Sequence, residues 1–110
     1  MSAEEVFHYE VEKSDDEKAG VTTTIKCHGK LVSGTTGELK NTVKELIPEG
    51  GNIVLDFADL QYLDSSGLGV LVGLKASAMR EGQCRLTLEN LSPRVKDLLS
   101  LTNVASLFAS

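Results

Sequence analysis

The sequence predicts an α/β domain with a mixed sheet and elements in the order β-β-α-β-α-β-α-(β). Several segments alternate between apolar and polar residues, as strands with one wet face do, and segments of helical periodicity separate them. Strand–helix–strand units of this kind favour parallel strands with right-handed crossovers. The 110 residues, 41% of them hydrophobic, are enough for a single domain over 1–110 and too few for two.

A hairpin is predicted at the start of the chain. Residues 7–12 and 21–28 both alternate, and the polar stretch between them ends in Gly20, which suits a turn. The positions predicted to face inward are Phe7, Tyr9, Val11, Val21, Thr23, Ile25 and Cys27.

A helix and a central strand should follow. Thr35 and Glu38 have the spacing of a capping box, and apolar residues recur behind them at helical intervals. The Pro-Glu-Gly-Gly stretch at 48–51 ends this helix, and the continuous apolar run at 53–57 is typical of a central strand. The apolar face of the helix comprises Leu39, Val43, Leu46 and Ile47.

The last third of the chain predicts two more helices and one or two strands. A helix from Gly67 to about Arg80 precedes an alternating strand at 85–89, and Ser92 and Pro93 have the residue types of an N-cap and first helical position. Residues 104–108 predict a short final strand. The inward stripe of the long helix is predicted as Leu68, Leu71, Val72 and Met79, with Lys75 beside it.

Composition excludes several classes of function. With 11 basic and 16 acidic residues, the net charge of −5 disfavours binding to nucleic acid or to an anionic membrane. No apolar run approaches the roughly 18 residues of a membrane span, and residues 1–6 lack the features of a signal peptide, so a cytoplasmic protein is expected. Cys27 and Cys84 lie far apart in a chain with no secretion signal, which predicts reduced cysteines. No CxxC pair exists to suggest a zinc site, and no cofactor is expected.

The unusual segment is 58–69, between the central strand and the long helix. It places Asp64, Ser65, Ser66 and Gly67 where that helix begins. A helix N-terminus carries a partial positive charge and unpaired N–H groups, which accept either a capping side chain or a phosphate. Asp64 or Ser65 therefore either caps the helix or belongs to a phosphorylation site.

Residues 62–72 (Tyr-Leu-Asp-Ser-Ser-Gly-Leu-Gly-Val-Leu-Val), together with 52–57 and 91–96, resemble the STAS domain family, specifically the bacterial anti-sigma factor antagonists. The resemblance extends from about residue 21 to 108. It implies a sheet with helices packed mainly on one face and a phosphorylation switch on the first serine after the motif aspartate. Asp64 matches that aspartate, so the phosphoacceptor is expected to be Ser65, with Ser66 as the fallback.

The resemblance also implies a mechanism. Such a domain binds an anti-sigma factor while unphosphorylated, and is inactivated when that partner acts as a serine kinase that holds the ATP. Asp64 would orient the acceptor hydroxyl, Gly67 would admit another backbone, and Gly69 would let the helix lie near the sheet. Switched relatives commonly have Gly-Glu-Leu-Asp where residues 29–32 are Gly-Lys-Leu-Val, and Lys30 is expected to pair with a phosphate instead. The expected switch and partner-binding residues are Asp64, Ser66, Gly67, Leu68, Gly69 and Lys30.

Other functions remain as alternatives. One is an unswitched STAS scaffold in a larger protein complex, in which Ser65 only caps its helix. Another is a nucleotide-binding regulatory domain, suggested by Gly67, Gly69 and Gly73 and weakened by the negative charge of Asp64. A serine hydrolase is disfavoured because the chain lacks a G-x-S-x-G elbow and both histidines, His8 and His28, lie at outward strand positions.

Overall fold

Four strands and three helices make up the part of the chain that the computed structural model describes, which is residues 7–17, 20–81 and 84–101. The possible strand at 104–108 lies outside these ranges. In chain order the elements are β1 (Phe7–Asp16), β2 (Gly20–Leu31), α1 (Thr36–Leu46) with a following 3₁₀ turn (Ile47–Glu49), β3 (Gly51–Leu63), α2 (Ser65–Glu81), β4 (Cys84–Glu89) and α3 (Pro93–Leu101).

The strands form a mixed sheet in the order β1-β2-β3-β4. The β1–β2 pair is the antiparallel hairpin that the alternation predicts, whereas β2–β3 and β3–β4 are parallel. Helices α1 and α2 make the two connections between parallel strands, as such strands require. The carboxyl ends of β2 and β3 therefore meet at one edge of the sheet, where Leu31 pairs with Leu63.

The helices cover one face of the sheet, as expected. The inward residues of β2 are buried, and they share one apolar core with residues of all three helices. Ser92 caps α3 as predicted, with its Oγ accepting the Val95 N–H at 3.2 Å. The helical members of the core are Leu39 and Val43 of α1, Leu71, Leu74 and Ala78 of α2, and Val95 and Leu99 of α3.

The central strand is longer than the sequence predicts, because it continues from Phe57 to Leu63. Two register shifts against β2, between Lys26 and His28 and between Gly29 and Lys30, each place one extra residue in β3. Extra residues of this kind interrupt the period-2 alternation while pairing continues. The segment after Phe57 therefore has no strand-like pattern in the sequence, and the central strand predicted at 53–57 is too short.

The buried stripe of α2 is also rotated relative to the prediction. Met79 is 66% exposed, whereas Leu74 and Ala78 are buried. The stripe runs through Gly67, which has no side chain, and Ala78, whose side chain is one methyl group, so the apolar pattern misplaced it. Lys75 is buried, and its Nζ donates to the Leu86 carbonyl at 2.9 Å.

The predicted burial is wrong at two positions of the hairpin. Val11 is 44% exposed and Val21 is 42% exposed, although both were expected to face inward. Their strand faces are correct, but Val21 lies near the hairpin turn, opposite Asp15. Val11 lies opposite the buried Ile25, but on β1, which is an edge strand and is therefore less covered by the core. Phe7 and Tyr9 are half-buried and pack against the core.

These burial differences predict different effects of two substitutions. Phe57→Ala should lower the free energy of unfolding by about 3–5 kcal/mol, because Phe57 is fully buried. Met79→Ala should change it by less than about 0.5 kcal/mol, because the side chain is mostly in solvent. Urea denaturation measures both, and a loss for Met79→Ala similar to that for Phe57→Ala would contradict the orientation of α2.

One histidine connects three strands on the open face of the sheet. The ring of His28, on β2, makes hydrogen bonds of 2.7 Å to Asp59 on β3 and 2.9 Å to Glu10 on β1. The His8 ring is stacked on it, with ring centroids 4.5 Å apart. The protonated ring donates both N–H groups, so the bonds to Asp59 and then Glu10 raise the pKa of His28 above its usual 6.5.

The pH dependence of stability follows from this shift. The stabilisation from His28 should be complete below pH 6.5 and lost as the pH rises through the raised pKa. The difference in unfolding free energy between the natural chain and His28→Gln should thus be larger at about pH 6 than at about pH 9. Urea denaturation at both pH values, with an NMR titration of the ring, tests this. Equal differences, or a ring that titrates at or below 6.5, would refute it.

Candidate partner-binding site at the start of α2

Two loops meet at the carboxyl ends of β2 and β3, an edge where sites commonly form in parallel sheets. One is the loop at 32–35 between β2 and α1, and the other is the junction at residue 64 between β3 and α2. The Asp64 N–H donates to the Leu31 carbonyl at 3.2 Å, so the parallel pairing of the two strands brings these loops together.

Asp64 is the residue that holds this site in place. One carboxylate oxygen accepts the Gly67 N–H at 3.0 Å, which caps α2, and the other accepts the Ser33 N–H at 3.1 Å. These hydrogen bonds, from Ser33 first and then Gly67, lower the pKa of Asp64 below its usual 3.8. The carboxylate therefore remains ionised at neutral pH and binds backbone N–H groups rather than the Ser65 hydroxyl that it was expected to orient.

The loop before α1 has its own hydrogen bonds. The Thr35 hydroxyl accepts the Val32 N–H at 2.9 Å and lies within hydrogen-bonding distance of the Lys30 carbonyl, 3.1 Å away. Thr35 occupies the N-cap position of α1 but its side chain makes no capping hydrogen bond. The predicted capping box with Glu38 is therefore wrong, because the Thr35 hydroxyl is used within the preceding turn.

Gly67, and not Gly69, is the glycine that allows α2 to lie close to the sheet. Gly67 is buried, and a Cβ there would lie 2.5 Å from the Leu31 carbonyl oxygen and 3.1 Å from the Leu63 Cβ. The close backbone approach at Gly67 is thus made within the chain, between α2 and β2. Gly69 is exposed, and a Cβ there would meet nothing within 4 Å, so it has no part in packing the helix on the sheet.

The remaining predicted site residues differ in exposure. Ser65 is exposed as the first residue of α2, Ser66 is half-buried, and Leu68 is half-buried against the core. Lys30 is exposed and lines a cleft of about 440 Å³ with Gln61, Tyr62 and Arg94. Ser66 lines a different cavity, between α1 and α2, so the clefts at Lys30 and at Ser66 are separate.

Sequence reasoning missed Ser33, Lys40 and Lys44. Ser33 takes part through its backbone N–H, which side-chain patterns cannot indicate. The two lysines border the cavity beside Ser66, and their spacing of four residues on α1 is the only signal that places them together.

The cysteines offer little reactivity. Burial raises the pKa of the Cys27 thiol to about 12, which disfavours the thiolate that metal binding or nucleophilic attack requires. Within the described ranges, no group of three or more His, Cys, Asp or Glu side chains is arranged to hold a metal ion. Among the helices of the same ranges, none has the length and apolar character needed to cross a membrane.

The fold and the Asp-Ser-Ser-Gly segment define a STAS-like domain, and comparisons with known proteins agree. Residues 14–109 match the family described as "Mlab, STAS domain". A STAS-domain containing protein of Pseudomonas aeruginosa is 30% identical over 89 residues, covering 81% of this chain and 87% of that protein. An anti-sigma-B factor antagonist of Listeria monocytogenes is 31% identical over 80 residues, covering 72% and 69%. The chain belongs to the STAS domain family.

Solved structures share the fold at lower identity. The anti-sigma factor antagonist SpoIIAA in its unphosphorylated form has a TM-score of 0.73 at 22% identity, with 91% of this chain and 84% of that chain covered. The phosphorylated form of the Bacillus protein SpoIIAA has a TM-score of 0.67 at 20% identity, with 91% and 87% covered. This similarity confirms the mixed α/β architecture that the sequence predicts.

The two hydrogen bonds of the Asp64 carboxylate predict the stability of its variants. Asp64→Ala removes both acceptors and should lower the melting temperature by about 4–8 °C, as loss of an N-cap does in a domain of this size. Asp64→Asn keeps one acceptor oxygen and should therefore lower the melting temperature by less. The stabilisation is present above pH 3.8 and disappears as the pH falls through the lowered pKa.

Thermal unfolding followed by circular dichroism measures these changes, with Ser65→Ala as the matched control at the neighbouring exposed position. Amide hydrogen exchange at Ser33 should accelerate in Asp64→Ala. A melting temperature of Asp64→Ala equal to that of Ser65→Ala would contradict the assignment of Asp64.

Proposed function

We propose that this protein is a regulatory binding module that acts as an anti-sigma factor antagonist. It binds an anti-sigma factor through the surface at the start of α2, and phosphorylation of Ser65 releases that partner. The observation that carries the proposal is the contrast between two adjacent residues: the Asp64 carboxylate is hydrogen-bonded to the backbone, while the Ser65 side chain is exposed. A kinase can reach this hydroxyl without unfolding the helix.

The charge at this position supports release as the result of phosphorylation. A phosphate on Ser65 adds about −1.5 to −2 at pH 7. Since Asp64 is ionised and its carboxylate already accepts the Gly67 N–H, the phosphate lies beside an existing negative charge. The N–H groups of the first turn are thus only partly available to bind it, and most of the added charge faces solvent. A partner with acidic groups at this surface is repelled.

The relatives support the general role. The Listeria monocytogenes protein is an anti-sigma-B factor antagonist, and SpoIIAA, which shares the fold, has a phosphorylated and an unphosphorylated form. In the proposed mechanism, the anti-sigma factor is itself the serine kinase and holds the ATP, so this chain is a substrate and a binding module rather than an enzyme. Such a role places it in the cytoplasm, with its partner.

An unswitched STAS scaffold is the second candidate. It is favoured by the Asp64 cap, since capping alone accounts for the need for an aspartate at this position. Lys30 and Val32, which replace the acidic residues common in switched relatives, point the same way. In this case Ser65 and Ser66 carry no phosphate in the cell, and phosphopeptide mass spectrometry of the protein purified from its own cells distinguishes the two functions.

The main test compares two variants of Ser65. Ser65→Ala should retain a partner captured from native lysate, because it adds no charge, whereas Ser65→Asp should weaken capture about tenfold or more, because it adds a negative charge where the phosphate would lie. Quantitative mass spectrometry identifies the captured proteins and their amounts.

The control is Ser100→Asp, which adds the same charge at an exposed position on α3. This variant should bind like the natural chain. Equal capture by Ser65→Ala and Ser65→Asp would refute the switch and leave the scaffold function.

A further inference from the structure

A groove lies between α1 and α2 and is open to solvent. Its main part has a volume of about 510 Å³, and a smaller cavity of about 220 Å³ shares Lys44 and Ser77 with it and continues it to Arg80. From Ser66 to Arg80, α2 rises about 21 Å, so the groove is long enough for about four turns of a helix or a short extended segment. Among the residues that line the main part are Lys40, Lys44, Ser66, Gly69, Gly73 and Ser77.

The charge of the α1–α2 groove is opposite to that of the chain. Its charged residues are Lys40, Lys44, Arg80 and one acid, Glu81, whereas the whole chain carries 11 basic and 16 acidic residues. In the part of the chain that is described, neither lysine forms an ion pair within 4.0 Å. These lysines therefore present a local positive potential to an incoming molecule.

Two exposed glycines line the α2 side of the groove, and neither has a close packing contact that a side chain would disturb. Glycine inside a helix lowers its stability relative to alanine. A Cβ at Gly69 or Gly73 would meet nothing within 4 Å, in contrast to Gly67, where it would lie 2.5 Å from the Leu31 oxygen. Because no side chain projects from α2 at these two positions, another backbone can approach the helix closely.

We infer that the α1–α2 groove binds an acidic segment of the partner protein, with its backbone over Gly69 and Gly73 and its carboxylates paired with Lys40, Lys44 and Arg80. The inference rests on the proposed function, because the occupant is a segment of the same partner. Charge complementarity selects this occupant, since a basic or purely apolar segment would leave the lysines unpaired.

The position of the groove explains how a single phosphate releases the partner. Ser66 lines the end of the groove nearest the start of α2, and Ser65 is its neighbour in the chain. A phosphate on Ser65 lies at this end and repels the carboxylates of the bound segment. Modification of one exposed serine thereby opposes binding along the groove without any change in the fold.

The first experiment needs no identified partner. The probe is a synthetic glutamate–alanine peptide of about 15 residues, which matches the length of the groove, added to the ¹⁵N-labelled full chain. The amide signals of Lys40, Lys44, Gly69 and Gly73 should shift, and the shifts should shrink at high salt. A lysine–alanine peptide of the same length is the control. Absence of shifts at these amides, or equal shifts with the lysine peptide, overturns the proposal.

The second experiment uses the partner that Ser65→Ala captures, purified after its identification. Lys44→Glu should raise the Kd for this partner about tenfold or more. Lys96→Glu makes the same charge change at an exposed position on α3 and should leave the Kd unchanged. Gly73→Leu should raise the Kd similarly by filling the groove. The melting temperature of Gly73→Leu should not fall, because leucine favours a helix more than glycine does and a Cβ at position 73 meets no neighbour.

The outcomes separate the two proposals. If Lys44→Glu and Lys96→Glu bind equally well while Ser65→Asp binds weakly, the groove is not the docking site and the proposed function stands. If Lys44→Glu and Gly73→Leu bind weakly while Ser65→Asp binds normally, the groove stands and the phosphorylation switch fails.

Discussion

The Asp64 carboxylate is the interaction on which the candidate site depends. It joins segments that are 31 residues apart in the chain, because it accepts one N–H from the loop after β2 and one from the first turn of α2. The close approach of Gly67 to the Leu31 carbonyl allows this geometry, since any side chain there would push α2 away from the sheet. The Asp-Ser-Ser-Gly segment is therefore first a structural junction, and its aspartate and glycine are explained without any partner.

Because Asp64 and Gly67 make the structural contacts of this segment, the fold does not depend on the Ser65 side chain. Asp64, the residue before it, is held by hydrogen bonds to two backbone N–H groups, whereas the Ser65 side chain is exposed at the start of α2. A charge placed there changes the surface and not the packing, which is the property that a reversible switch requires. The basic groove that begins beside it gives that charge a physical target, because carboxylates bound to Lys40 and Lys44 would be repelled by a nearby phosphate.

The parts of the fold with simple periodicity could be predicted from the sequence, and the parts that break it could not. The alternation of β2 correctly placed Thr23, Ile25 and Cys27 in the interior. The bulged end of β3 was not predicted as a strand, because its extra residues interrupt the alternation. The buried stripe of α2 was misplaced because it includes Gly67 and Ala78. The motif indicated the junction at Asp64. The hydrogen bond from the Ser33 N–H to Asp64 could not be predicted, because it depends on the strand register and involves a backbone group of the same kind in every residue but proline.

The most direct test of the account is an NMR comparison of the chain with serine and with genetically encoded phosphoserine at position 65, each alone and with the purified partner. Phosphorylation should shift only signals near the start of α2 and leave the amide of Ser33 protected from exchange. It should also abolish the shifts that the partner causes along α1 and α2. Shifts throughout the core on phosphorylation, or unchanged partner binding by the phosphorylated chain, would contradict these expectations.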